Sequence, residues 1–234
     1  AQGAASTVHR AHSHVIEALL GKGAQLRHGI LASGSGEASF MAHLAVEQQP
    51  GSHYALTSVA RGWRFGRLEP SVLQVEGQAT TEIRGLTMTT ADEQFATHSS
   101  VRFDGPEGEL DQLQKAVAAE RSHSIFNGAI QVPRAAQRTN ASQLSRSLLL
   151  SGRARVDAKP ELEIVADDVR CAHGATVSQL QQDQLFYLRS RGVAADAAAA
   201  LLLKGYCCEV MHRLPAAAAA WTASGVITDS ARPL

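Results

Sequence analysis

An all-β body closed by a small helical C-terminal cap is the fold class this sequence predicts, and three observations carry it. Between about Gly23 and Cys171 the apolar residues come in short alternating runs punctuated by Gly, Pro and Ser, the period-2 pattern of half-buried strands. No long helical stretch interrupts them, so the crossover helices of a doubly wound parallel sheet are not expected. After Cys171 the texture changes to Leu, Ala and Gln at helical spacing. A sandwich, a barrel and a parallel β-helix all satisfy these terms.

The elements follow in order. Ala24 to Leu31, Val72 to Gly77 and Ser147 to Ser151 read as strands. Glu161 to Val165 puts Leu162 and Ile164 on one face and Glu161 and Glu163 on the other. One stretch dissents: Leu110, Leu113, Ala116 and Val117 fall at helical spacing with few β-branched neighbours, so local propensity predicts a helix over 109–121. From Ser178 to Arg191, Leu180, Leu185 and Leu188 mark a helix, with Gly192 placed to cap its C-terminus. Ala194 to Leu214 reads as a second, longer helix stopped by Pro215, which completes a helical hairpin. The last twenty residues, with an Ala run and Trp221, are expected to form a further short helix or a frayed tail. The chain divides into 1–22, an N-terminal tail or remnant of first strands; 23–176, the β core; and 177–234, a helical C-terminal domain.

Composition narrows the function classes. The 234 residues carry 22 basic and 22 acidic side chains, for a net charge of zero. That balance argues against nucleic acid or an acidic membrane surface as the main partner. Hydrophobic residues make up 44% and charged residues 19%, a globular balance, while aromatics at 5% leave the packing to aliphatic side chains. Three Cys, two of them adjacent, form no disulfide framework and fit a reducing compartment. The most apolar stretch, Val193 to Met211, contains Asp196, Lys204 and Glu209, which argues against a membrane-spanning helix. The chain opens at Ala1 without a Met, which leads us to expect a piece of a longer protein. There is no phosphate-binding loop, no G-x-G-x-x-G after a strand and no G-x-S-x-G. Nothing else in the sequence resembles a catalytic or nucleotide site.

Among candidate chemical groups, Cys171 and His173 stand out. In an extended segment their spacing puts both on one face, with Cα atoms roughly 6.5 Å apart. Thiolate and imidazole are the ligands that zinc, iron and iron–sulfur clusters prefer. Two ligands fall short of four, so a full site would need help from elsewhere, which a partner chain could supply. The competing reading is a buried Cys beside a hydrogen-bonded His. His9, His12 and His14 cluster near a terminus without a caging pattern, and a solvated stretch is the favoured reading there. Cys207 and Cys208, about 100° apart on a helix, cannot easily share an ion, and one is expected to pack inward. Asp167 and Asp168, as neighbours on a strand, would point to opposite faces, so a turn or strand-end role is favoured over acid–base chemistry.

A longer string of residues resembles a known family. Ser147 to Ser151, Pro160 to Ile164, Ala166 to Val169, Cys171-Ala-His-Gly-Ala-Thr176 and Leu185-Phe-Tyr-Leu-Arg-Ser-Arg-Gly192 resemble the C-terminal half of the SufB/SufD family of iron–sulfur cluster assembly proteins, in the family's order. Phe126 to Val132, Ala136, Gln137, Thr139 and Gln143 extend the likeness, and weaker similarity runs back to about Gly23. His-Gly-Ala-Thr at 173–176 and the Leu185 to Gly192 run are similar to the SufD branch. The resemblance implies a right-handed parallel β-helix core with a small helical C-terminal domain. It also implies a strand, not a helix, over 109–121.

The same resemblance implies a role in the SUF system: a non-catalytic scaffold subunit of the SufBCD complex. It would pair with SufB through the β-helices and dock the SufC ATPase through the C-terminal helices, 178–214. His173, with Cys171 as the lesser candidate, is implied as a contact to a nascent cluster or metal at the SufB interface. The cofactor expectation is accordingly none firmly bound, only a transient iron–sulfur cluster shared with SufB, with ATP entering through SufC alone. The implied compartment is the bacterial cytoplasm, or the plastid stroma in a eukaryote. The chain departs from the family pattern at Gly108 to Gln114, before Lys115, where a Ser-containing segment is usual, and at Phe103-Asp104, where a His is common. Two rival readings are a SufB-like chain that carries the cluster itself and a β-helix enzyme acting on polysaccharide.

Overall fold

Alternating side chains make strands, and the chain does this twelve times before it turns helical. The computed structural model describes residues 10–216. The strands are β1 (Ala11–Leu20), β2 (Gln25–Ser33), β3 (Ser39–Gln48), β4 (His53–Arg61), β5 (Phe65–Gln74), β6 (Thr80–Thr89), β7 (Gln94–Phe103), β8 (Glu109–Ala118), β9 (His123–Val132), β10 (Asn140–Leu149), β11 (Arg155–Ile164) and β12 (Arg170–Ser178). Two helices follow, α1 (Gln182–Ser190) and α2 (Ala195–Met211).

Odd strands form one six-stranded sheet in the order β1-β3-β5-β7-β9-β11, and even strands form a second from β2 to β12. Every ladder is parallel. Each strand thus lies beside the strand one full turn away, and the chain winds as a parallel β-helix. A sandwich or an up-and-down barrel would pair neighbours in sequence antiparallel, and no such pair occurs among the described residues. Of the three architectures left open by the alternation, this is the one the family resemblance implied.

The corners explain the Gly punctuation. Gly23, Gly51, Gln78, Glu107 and Arg138 all have positive φ, between 53° and 74°. Each N–H donates to a carbonyl one turn further on: Gly23 to Pro50, Gly51 to Gln78, Gln78 to Pro106, Glu107 to Gln137 and Arg138 to Asp168. A non-Gly residue in this conformation costs roughly 1–2 kcal/mol, and here the side chains lean on one another in return. Gln78 Nε2 donates to Glu107 at 3.1 Å, and Arg138 donates to Glu107 at 2.7 and 2.9 Å.

Inside, few aromatics are needed because they are gathered in one place. Phe40 and Phe95 lie with ring centroids 6.3 Å apart, separated by Gly66, whose register sets it beside both. A Cβ on Gly66 would come within 2.1 Å of the Phe95 ring. Trp63 packs on Phe40 at 5.1 Å. Elsewhere the core is aliphatic, with Leu44, Leu56, Ile83, Val101 and Ile130 fully buried.

The segment 109–121 is strand β8 and not the helix that local propensity predicts. The reason is packing on both faces. Leu110 faces the β-helix interior, while Val117 lies on the outer face under α2. Apolar residues on both faces of one strand lose the period of 2 and mimic a helical spacing. At the other end, His12 and His14 are solvent-exposed as expected but stand in strand β1, where His12 meets Trp63 edge-on at 5.5 Å and His14 lies 5.9 Å from Phe40. His9, the Ala run and Trp221 lie outside the described residues.

The stacking of turns is testable at Gly77, which has φ +81° and whose Cβ would sit 2.0 Å from the Pro106 carbonyl oxygen. Gly77→Ala is expected to lower stability by about 1–3 kcal/mol, read as a lower urea midpoint. An unchanged midpoint would refute stacking this close.

Candidate functional site at the last turn

The last turn of the β-helix is where the two sheets end. Among the described residues β11 pairs with β9 alone and β12 with β10 alone. Each therefore presents one row of backbone N–H and C=O groups without a strand partner, a template for another chain. Cys171 and His173 both lie on β12.

Alternation puts the two on the same face of the strand, and Cys171 shows which face it is. Cys171 packs against the interior core from beside Ala141. Burial pushes its thiol pKa up, opposed in part by a hydrogen bond with the Ala141 backbone. At neutral pH this group is a thiol, and ligation would cost it a proton. His173 lies in register with Gln143 and is exposed. Its column runs down the interior as His28, Leu56, Ile83, Gln112, Gln143 and His173.

Among the described residues no three His, Cys, Asp or Glu side chains gather closely enough to hold a metal ion. The Cys171–His173 pair stands at an open edge with no third such side chain beside it among the described residues. Its chemistry, one sulfur and one imidazole nitrogen, suits iron or zinc once further ligands arrive.

The other candidates are held elsewhere. Asp167 and Asp168 are exposed in the turn between β11 and β12, where the Asp168 N–H donates to Gln137 Oε1 at 3.0 Å. They work as turn residues and not as a carboxylate pair on a face. Cys207 is buried on α2, with its thiol pushed up to about 12 by desolvation, while Cys208 is half-buried. This matches the expectation that one of them packs inward.

The arrangement with least forewarning in the sequence is at Lys115. Its side chain is 2% exposed, yet it stands on the outer face of β8. Helix α2 covers it. Lys115 Nζ donates to the Tyr206 carbonyl at 2.7 Å and to the Glu209 carboxylate, and sits 4.0 Å from the centre of the Tyr206 ring. Tyr206 Oη donates to the Arg146 carbonyl at 2.6 Å. Around this polar anchor Val59, Leu86, Val117 and Leu148 of the sheet meet Cys207, Val210 and Met211 of α2. A lone Lys between Leu113 and Val117 was the one available signal. By contrast α1 has no buried residue and leaves Phe186 and Tyr187 73% and 58% exposed.

With this geometry in place, the comparisons decide the family. A family model described as "SUF system FeS cluster assembly, SufBD core domain" matches residues 2–206. The chain belongs to this SufB/SufD family. It is 40% identical over 203 residues to an iron–sulfur cluster assembly SufBD family protein of Synechocystis, covering 87% of this chain and 45% of that protein. It is 38% identical over 202 residues to the chloroplastic protein ABCI7 of Arabidopsis thaliana, covering 86% and 42%. Against the SufD protein of Escherichia coli it is 34% identical over 142 residues, covering 60% and 34%. The chain thus spans less than half the length of these relatives. Among the described residues no helix is long and apolar enough to cross a membrane.

The Lys115 anchor yields a prediction. Glu209 is held below the ordinary carboxylate range chiefly by its hydrogen bond to Lys115. Its contribution is therefore present above about pH 4.3 and is lost as pH falls through its depressed folded value. Lys115→Met is expected to weaken α2 docking by about 1–2 kcal/mol, less than a fully buried pair because Glu209 is half solvated. Amide exchange across Ala195–Met211 should speed up by about tenfold, and unchanged protection would show that the apolar contacts alone hold the helix.

Proposed function

We propose that this chain is the β-helix and helical hairpin of a SufD-like scaffold, a non-catalytic subunit that supports iron–sulfur cluster assembly in the SufBCD complex. The observation that carries this reading is the last turn: two unpaired strand edges with Cys171 and His173 on one inward face. A second β-helix pairing with β11 or β12 would bring its own side chains to that face and complete a ligand set that here stops at two. In this reading the partner is SufB, and the nascent cluster is cargo held between the two chains. His173 is the principal contact, since its imidazole lies exposed and needs no desolvated thiol to lose a proton; Cys171 is the secondary one. SufD-named relatives in E. coli and Bacillus subtilis support the branch assignment.

The helical hairpin has a separate task in the same reading. α2 is pinned to the even-strand sheet through Lys115 and the apolar cluster around it. Among the described residues nothing covers α1 and the outer side of α2, where Phe186, Tyr187 and Leu201 are exposed. We assign this surface to the SufC ATPase, so that ATP acts on this chain through SufC. The compartment is the bacterial cytoplasm or the plastid stroma, consistent with three unpaired Cys.

Two experiments test the proposal. The full-length protein, expressed with SufB and SufC, is expected to purify as one complex; its failure to associate with either partner rejects the scaffold role. In that complex His173→Ala should reduce cluster formation, followed by visible absorbance under anaerobic conditions, by tenfold or more while the three subunits stay together. Undiminished cluster formation removes His173 from the site.

A further inference from the structure

Beneath His173 the β-helix interior carries a ladder of buried amides. Gln143 Nε2 donates to Gln112 Oε1 at 2.9 Å, and Gln112 Nε2 donates to Ser99 Oγ at 2.8 Å. All three side chains are at most 4% exposed. Gly128 makes the room: a Cβ there would come within 2.4 Å of Gln143 Nε2. In this ladder Gln112 turns its oxygen to Gln143 and its nitrogen to the Ser99 hydroxyl, so Gln143 gives its nitrogen. That leaves Gln143 Oε1, which is buried and has no hydrogen-bond partner.

A buried amide oxygen without a partner is uncommon and costs about 1–3 kcal/mol. With Nε2 turned toward β8, Oε1 is the free end of the amide, and the strand on the opposite side is β12. The residue there in register with Gln143 is His173. The far end of the same column offers a comparison: His28 also lies in it, and its Nδ1 is 3.1 Å from the hydroxyl of Tyr54 one turn on. Each end of the column thus carries a histidine, and each has a polar group one rung away.

We infer that Gln143 is a positioning residue for His173: the two are not hydrogen-bonded in this structure, and a turn of the exposed His173 ring toward β10 lets Gln143 Oε1 accept its ring N–H and so holds the other ring nitrogen outward as the ligating atom. A neutral imidazole has one N–H donor and one lone pair, and binding the donor fixes both tautomer and ring orientation. The ladder to Gln112 and Ser99 keeps the acceptor itself from rotating. The inference rests on the reading of His173 as a cluster contact, but the hydrogen bond can be tested without it.

The experiment uses 15N-histidine spectra of the full-length protein at about pH 8, where a ring of ordinary pKa is neutral. His173 is assigned by its loss in His173→Ala. The wild type is expected to show two well-separated ring nitrogen shifts, one tautomer. Gln143→Met, which keeps the volume over Gly128 but removes the acceptor, is expected to move both toward averaged values. Gln143→Glu keeps an acceptor and should keep the separation. In the complex with SufB and SufC, Gln143→Met should lower cluster formation about tenfold or more and Gln143→Glu should restore most of it. Ring shifts already averaged in the wild type, or unchanged in Gln143→Met, overturn the inference. Averaged shifts in Gln143→Glu also overturn it, and that variant decides the matter if Gln143→Met fails to fold. If cluster formation survives His173→Ala, the reading of the site falls while the shifts still judge the hydrogen bond.

Discussion

Parallel register is the constraint on which everything else in this molecule depends. Each residue of a strand stacks on one a full turn away, so a side chain is packed chiefly by its equivalents in the turns before and after it. This makes every inner column a single packing problem. Where Phe40 and Phe95 both need room, the residue between them has to be Gly66. Where corner residues take the left-handed conformation without being glycine, their side chains join across turns, as Gln78, Glu107 and Arg138 do. An interior built this way tolerates a low aromatic content, because narrow aliphatic columns fill the space between the sheets.

The same constraint leaves the ends unfinished. A middle turn is covered on both sides, whereas a terminal one has a bare edge and half-covered inward side chains. On β12 that condition coincides with the Cys171–His173 pair. The site is thus less a pocket than an uncompleted turn. On the proposed reading its two donors and its unpaired backbone groups would be satisfied by the same event, the arrival of another chain. Polar groups inside the column extend this logic inward, since Gln143 is packed, anchored through Nε2 and still short of one partner.

The even-strand sheet carries a second consequence of stacking. Its outer face holds a patch of Val59, Leu86, Val117 and Leu148 contributed by successive turns, which one helix lying across the strands covers at once. Lys115 sits within that patch, and its charge is met by Tyr206 and Glu209 from the helix. An apolar patch alone would let α2 slide or rotate; a buried ammonium with two oxygen partners selects one placement. The hairpin beyond it, with α1 almost wholly exposed, is therefore carried in a defined position.

The sequence by itself determined the class: strands from alternation, corners where Gly punctuates them, and a helical end that stops short of Pro215. It also singled out Cys171 and His173, because sulfur and imidazole two residues apart on a strand share a face whatever the fold. Three things belonged to tertiary structure. Strand β8 carries apolar residues on both faces because α2 covers the outer one, and that burial erases the period of 2 by which a strand is read. His12 and His14 meet Trp63 and Phe40 on later turns, and no local pattern reports contacts made 51 and 26 residues away. Gln143 and Lys115 acquire their roles from neighbours a turn or more distant in sequence, Gln112 and His173 for the first, Tyr206 and Glu209 for the second. Alternation tells which way a side chain points; only the winding of the chain decides what it meets there.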